Sequence, residues 1–560
     1  MIYDNDESES SVSTGDAVVK KLNFQSDALQ KVYKNTNLAT VLDNIRTLDF
    51  PAIYHQGNDK VLYHLEKIRS ELDKSSDEDR KDELRSKLRK YEPNIKVKFT
   101  IAITYLLQVA QDCGHDLMFK DGLIYCFNGR YWENIQSEIF KAFLAEVITK
   151  TGINEFQSLK ADAQKDLYKQ FLVSAFYSDD AEIEESTPVI INLKSNVFVC
   201  QNGNYEFRDF DKNDKLTYCL DFDYEPDAKI DKFQKFLDKV LPDEGMQNVL
   251  AEYCAYILTK NLKLEKALIL LGAGANGKST FGDILTALLG GKKNVCFNSL
   301  SDLCDSKGYY RTELSKYLLN FCSEFSTSYN SAILKQLIST EEVTARSVFE
   351  KPITIQNYCK FIFNANIIGK KDIERSQGFY RRLLILPFNV TIPEAERDPE
   401  LAAKIINTEL SGIFNWILKG LNRILKNKRF TITPEIEAVR TEFEKESDSV
   451  ALFIEECGYV KDETTKPLRM KDLYDEYWEY TREKLKMTPV YRSEFKRRLR
   501  DNLNFKIKEK GTNHYPCIYC TKKPEKVENK EENGLCSIEE NGEKLYYRDV
   551  TTIINQENNE

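Results

Sequence analysis

Residues 268–280 read Leu-Ile-Leu-Leu-Gly-Ala-Gly-Ala-Asn-Gly-Lys-Ser-Thr, an apolar run that enters the spacing G-x-x-x-x-G-K-S. That spacing carries phosphate chemistry. Gly272, Gly274 and Gly277, with Ala275 and Asn276 between them, let the backbone turn its N–H groups toward phosphate oxygens. Lys278 is placed to reach the β- and γ-phosphates and Ser279 to offer a hydroxyl to Mg²⁺, with Thr280 completing the expected nucleotide-binding loop. Downstream, Phe281, Ile284, Leu285 and Leu288 recur on one helical face, so a strand, a loop and a helix are expected in that order. ATP with Mg²⁺ is the ligand pair such a loop takes.

Hydrolysis needs further groups at the ends of neighbouring strands. The apolar run Tyr317–Cys322 ends in Ser323-Glu324, and a carboxylate there is suited to ordering an attacking water near Mg²⁺. Tyr358–Phe363 leads to Asn364-Ala365-Asn366, where Asn366 can hold water or sense phosphate through its amide. Arg381-Arg382 precede the strand pattern Leu383–Phe388. From the surface of one protomer, Arg382 or its neighbour Arg381 could neutralise charge on a neighbour's transferred phosphoryl group.

The elements that position these groups follow from the rest of the 560 residues, enough chain for about three or four domains. Residues 1–98 combine an acidic, serine-rich start with a charged helical arm or hairpin around 63–91. An α+β module is expected over 99–230, with the strand Gly122–Phe127 turning at Asn128-Gly129. Residues 231–445 read as two amphipathic helices split at Pro242–Gly245, then alternating strands and helices of an α/β nucleotide-binding core. A basic, aromatic module covers 446–525, and 526–560 reads as a flexible acidic tail.

Composition narrows the function classes. The net charge of −9 argues against a generic polyanion binder, so any DNA contact must come from local basic patches. Thirteen scattered cysteines fit reduced, buried thiols. No run is long enough for a membrane span, and the acidic start is no signal peptide, so a cytoplasmic protein without membrane partners is expected.

The order of motifs resembles the superfamily 3 helicases, specifically the poxvirus-type and phage/plasmid primase–helicase family. The resemblance covers about 100–525. It is carried by Ile191–Val197, Phe222–Pro226, Glu252–Thr259, Gly274–Thr280, Ser323-Glu324, Leu334–Leu337 and Tyr380–Phe388. It implies an AAA+-like phosphate-loop core in a multidomain α/β chain, acting as a homo-oligomeric ring, a hexamer by analogy, that moves along single-stranded or forked DNA. It also implies a hairpin projecting into the channel from 344–354, with Lys351 near the tip and Phe349 beside it. Lys335 matches a basic position that faces nucleotide across the subunit seam. The sequence departs from the family in having one carboxylate in the acidic motif and no proline after Asn366. A paired-aspartate resemblance at Asp221–Asp223 has no partner motif, so primer synthesis is not expected and a separate primase or other replication proteins are the expected partners.

In the carboxyl-terminal module, Thr488-Pro489 reads as the cap and first turn of a helix with Phe495, Leu499 and Leu503 on its buried face. Arg492, Lys496, Arg497 and Arg500 lie off that face. With a strand pair around Lys510-Gly511, this resembles a winged helix contacting DNA through those four residues. The expected activity is an ATP-dependent helicase for replication of a phage, plasmid or integrated element. The alternatives are a DNA-bound ATPase that remodels or packages nucleoprotein, and a nucleotide-driven scaffold or defence protein.

Overall fold

A computed structural model of the chain describes residues 36–158, 160–178, 188–201, 203–259, 262–325, 329–346, 352–366, 377–485, 488–510, 515–522, 529–530, 535–540 and 543–548. The architecture is mixed α/β and multidomain, with two compact units. Met1–Ile367 and Arg381–Ile436 form one; Ile368–Tyr380 and Glu437–Glu560 form the other. Among the described residues, no helix is long and apolar enough to cross a membrane.

The first unit begins with helices, including the charged pair Asp59–Lys74 and Glu78–Arg89 expected as a hairpin. Helices Ile95–Asp112, Ser137–Lys150 and Ala161–Ser174 then bury Phe99, Leu106, Phe140, Phe143 and Phe171 in a core of their own. An antiparallel trio, Leu117–Lys120, Leu123–Phe127 and Trp132–Ile135, stands beside them. A second trio, Val189–Asn192, Val197–Gln201 and Asn204–Arg208, adds Val189, Ile191 and Phe198 to the core of the following domain.

That domain opens with helices α1 (Asp231–Val240) and α2 (Glu244–Ile257). Asp243 caps α2 by accepting from the Met246 N–H at 2.6 Å. Strand β1 (Ala267–Leu271) runs into the glycine loop and α3 (Lys278–Leu288). Then come β2 (Val295–Cys296), β3 (Leu319–Cys322), α4 (Ser331–Ile338), the antiparallel pair β4 (Val343–Ala345) and β5 (Ile353–Ile355), β6 (Lys360–Ala365), β7 (Leu383–Pro387) and the long helix α5 (Leu401–Asn427). The main sheet is fully parallel in the order β7-β1-β6-β3-β2. Leu268, Ile269 and Leu270 are all buried, as expected of a central parallel strand covered on both faces. The four strands announced by apolar runs (β1, β3, β6 and β7) each start or end a residue or two from the run, because backbone pairing and not hydrophobicity sets their ends.

In the second unit, α6 (Ser449–Glu456), α7 (Met470–Glu483) and α8 (Arg492–Asp501) pack Phe453, Tyr477, Phe495 and Leu499 together. A short sheet joins β8 (Leu468–Arg469), β10 (Tyr515–Ile518) and β9 (Ile507–Lys510) in the order β8-β10-β9. Two expectations need correction. Helix α8 begins at Arg492 with Tyr491 in the capping position, so Thr488-Pro489 is neither cap nor first turn. The tail expected to be flexible and acidic carries paired strands at Leu535–Glu540 and Glu543–Arg548.

Candidate nucleotide site

The loop after β1 is fixed by its backbone before any side chain matters. The Gly272 N–H donates to Ala365 O at 2.9 Å, tying the loop's first residue to the end of β6. A Cβ on Gly272 would come within 2.5 Å of the Phe388 carbonyl oxygen. Gly277 has φ +83°, and a Cβ there would meet Val240 Cγ1 at 2.7 Å and Phe236 Cε2 at 2.9 Å on α1. Only glycine meets both demands. Ala275, between them, is also left-handed at φ 50°. The loop is stapled to the chain beyond β7, where Asn276 Nδ2 donates to Phe388 O at 2.9 Å and the Ile392 N–H donates to Ala275 O at 2.8 Å.

Lys278 opens α3 and is only 6% exposed. Its ammonium donates to Gly272 O at 2.6 Å and to Asn276 Oδ1 at 2.8 Å. Burial pushes its pKa below the ordinary lysine value. The lysine therefore stands at a helix N-terminus, where dipole and free N–H groups favour an anion, with neutral acceptors as its named partners.

Above the loop lies a cavity of about 840 Å³. Gly274–Thr280 form its floor, so six of the predicted loop residues and the seventh, Lys278, are brought together there; Gly272 braces the loop from below. The far walls, missed by sequence reasoning, come from α1 (Lys232, Lys235, Phe236, Lys239) and from Ile392, Glu396–Pro399 and Leu401. Glu409 on α5 seats that helix: its buried carboxylate accepts from the Lys232 N–H at 3.0 Å and the Phe233 N–H at 2.9 Å, replacing a cap that Ile230 cannot supply. Lys239 pairs with Glu396 at 2.6 Å, linking two walls. A carboxylate placed on one helix to seat another is a tertiary fact; no local spacing announces it.

The other expected residues divide. Asn366 is exposed and lines the cavity, as does Ser323. Glu324 is exposed outside the lining. Asn364, not singled out by the sequence, does line it, and it is 9% exposed with its Oδ1 buried and without a hydrogen-bond partner. Asn364 is the next-to-last residue of β6 and Asn366 the first beyond it, so the apolar run that pointed to one also passes the other. Lys335 is half-buried on α4, away from the cavity lining. Arg382 stands before β7; its side chain is 12% exposed, against 65% for Arg381. Arg382 Nε donates to Ser339 Oγ at 2.7 Å, and its guanidinium lies 3.7 Å from Glu265.

Phe349 and Lys351 lie outside the described residues, although β4 and β5 on either side of them pair antiparallel, Ala345 opposite Ile353. On α8, Arg492 is exposed and Lys496 half-buried. Arg497 is engaged by Glu494 at 2.7 Å and Arg500 by Asp501 at 2.6 Å, so two of the four expected DNA contacts already have acidic partners. Among the described residues, no group of three or more His, Cys, Asp or Glu is placed to hold a metal.

Comparison with known proteins adds five findings. Residues 270–382 match a family of unknown function (DUF5906), and residues 105–242 match a D5 N terminal like family. The chain is 22% identical over 428 residues to "Putative helicase L207/L206" of Acanthamoeba polyphaga mimivirus, covering 64% of this chain and spanning 43% of that protein. Two solved structures of the NrS-1 C-terminal region are similar at 15% identity. One has a TM-score of 0.40 and covers 74% of this chain and 98% of that one. The other, of residues 305–718, has a TM-score of 0.39 and covers 75% and 100%.

Proposed function

We propose that the chain is an ATP-dependent DNA helicase of a phage, plasmid or related replicating element, with an AAA+-like core that hydrolyses ATP between subunits of a ring. The observation that carries the proposal is Lys278, buried at the start of α3 beneath a basic cavity and bonded to two neutral acceptors. A desolvated ammonium at a helix N-terminus is best stabilised by an anion, and a cavity of this size holds a whole nucleotide. The similarity to a mimivirus protein named as a helicase and the D5 N-terminal-like match support the DNA-directed part of the reading.

The oxygens beside the loop fit a hydrated Mg²⁺. Ser279, Ser323 and Asn364 line the cavity and supply neutral oxygens, and Mg²⁺ characteristically keeps several waters and binds through substrate phosphates. When bound, the ion would neutralise phosphate charge. Lys278 and the loop amides would hold the phosphates, while Phe236 and Ile392 offer an apolar wall to the nucleoside.

The test is ATP binding, DNA-stimulated hydrolysis and forked-duplex unwinding by the intact chain and by Lys278→Ala. The variant should lose turnover by at least about 10²-fold. Hydrolysis that ignores both DNA and this substitution would refute the proposal. DNA-stimulated hydrolysis without strand separation would point to a remodelling ATPase instead.

A further inference from the structure

Lys360 is a buried cation that no acidic group answers. It opens β6, at the end of the strand away from the glycine loop, and is 8% exposed. Its backbone N–H donates to Leu318 O at 3.0 Å, which fixes the residue beside β3. The ammonium lies 4.3 Å from the centroid of the Tyr256 ring on α2, and among the described residues it has no hydrogen-bond or ion-pair partner. A ring face attracts a cation but covers only one side of it, so much of the cost of burial is left uncompensated.

Beside the ammonium is a small cavity of about 20 Å³, lined by Lys263, Tyr317, Thr340 and Asn357 as well as Lys360. The lining holds two lysines and no aspartate or glutamate. Thr340 Oγ1 is buried and has no hydrogen-bond partner. Thr340 follows α4 in the left-handed region at φ 52°, where a β-branched residue is rare. Its turn is held from both sides. The Thr340 N–H donates to Leu337 O at 3.1 Å, and the Tyr358 hydroxyl donates to Glu341 O at 2.7 Å. An ammonium and a hydroxyl, both able to donate and both unserved, therefore line one cavity.

Size and charge select the occupant. The volume suits about one or two water-sized positions, too few for phosphate, sulfate or an organic metabolite. A water would satisfy the hydroxyl and leave the charge in place. An anion accepts from both donors and also neutralises the ammonium, while Lys263 adds a second positive charge to the same field. Burial, the largest cause, lowers the Lys360 pKa to about 8, and no carboxylate counters it. We propose that this cavity is a halide site, in which one chloride-sized anion accepts from Lys360 Nζ and Thr340 Oγ1. The neighbouring Ser339 accepts from Arg382 Nε at 2.7 Å, so the anion also braces the turn on which that arginine rests. The site is independent of the nucleotide cavity at the other end of the sheet.

The experiment compares the full chain in sodium gluconate, whose anion is too large to enter, with the same chain as chloride or bromide replaces gluconate at constant ionic strength. Both halides should raise the melting temperature by about 3 °C, with saturation. Chloride NMR line widths give the dissociation constant. Lys360→Met, which keeps the length and removes the charge, should abolish the saturable response. Thr340→Val should weaken chloride about tenfold. In crystals grown with bromide, an anomalous peak should lie within hydrogen-bond reach of both Lys360 Nζ and Thr340 Oγ1. If Lys360→Met fails to fold, Thr340→Val and the bromide position decide the matter. Equal melting in gluconate and chloride overturns the proposal, as does a halide response that survives Lys360→Met, parent-like affinity in Thr340→Val, or a water in place of bromide.

Discussion

Glu252, Lys278 and Lys360 each bury a charge-bearing group, and they are settled in different ways. Glu252 is 0% exposed on α2 and is fully served by Arg423 Nε at 2.8 Å, the Thr431 N–H at 2.8 Å and Thr431 Oγ1 at 2.8 Å. Lys360 lies 4.3 Å from the centroid of the Tyr256 ring, and burial lowers its pKa to about 8. Lys278 has two neutral acceptors instead, which is the arrangement of a group that waits for an anion. The difference makes Glu252 a stability residue. Glu252→Ala should cost about 3 kcal/mol, the low end for breaking a buried pair because Arg423 is partly exposed. Denaturant midpoints read it, with ATP binding retained by the fraction that stays folded. A change below about 0.5 kcal/mol would mean that water replaces the carboxylate there. Lys278 was legible in the sequence because its work is local, set by a loop and the first turn of a helix. Asn364 and Glu409 were not, because the first depends on which strand ends meet around the cavity and the second on a helix far away in the chain.

Helix α8 shows what a pattern of charges can and cannot say. Its buried face was legible, since Phe495 and Leu499 are fully enclosed as their spacing requires. Its start was not. A threonine and proline suit a helix start, yet the backbone enters the helix only at Arg492. The tail carries the reverse lesson. Asn541-Gly542 between alternating residues is a strong hairpin signal in the sequence, which a reading from composition alone passes over. Nor did the basic residues of α8 reveal their partners. Arg497 first, and Arg498 with it, hold the Glu494 carboxyl down to about 2, while Asp448 also engages Arg498 at 3.1 Å. The folded carboxyl titrates below its ordinary value of 4.5, so its contribution to stability is complete above that pH and is lost as pH falls from there toward about 2. The destabilisation caused by Glu494→Gln should therefore be present at pH 7 and shrink by pH 3, as read by urea midpoints of the two proteins. An unchanged difference across that range would show that the pairs contribute nothing through ionisation. Under the proposed DNA-directed function, the same pairing makes Arg492 and Lys496, rather than Arg497 and Arg500, the expected contacts to DNA phosphates.

The parallel sheet separates Arg382 from its own chain's cavity. Leu383 pairs with Ala267 and Pro387 with Leu271, so Arg382 precedes the strand at the end opposite Gly272 and Lys278. Five residues at about 3.3 Å each put roughly 16 Å between the two ends. An arginine so placed can stabilise a transferred phosphoryl group only in another copy of the chain, at a seam where this end of the sheet faces a neighbour's loop. Arg382→Ala should then retain nucleotide binding and lose turnover, while Lys278→Ala loses turnover with its arginine intact. Mixed before assembly, the two variants should recover DNA-stimulated hydrolysis, with a maximum near equal proportions, because each supplies what the other lacks. Ser339 and Glu265 hold Arg382 in place, so a thermal melt must first establish that Arg382→Ala is folded. Arg382→Lys, which keeps the charge without the planar fork, should recover little activity alone. Absence of recovery at every ratio would mean that hydrolysis is not shared between subunits. Full activity of Arg382→Ala by itself would shift attention to Arg381, the more exposed of the pair, as the group that reaches across.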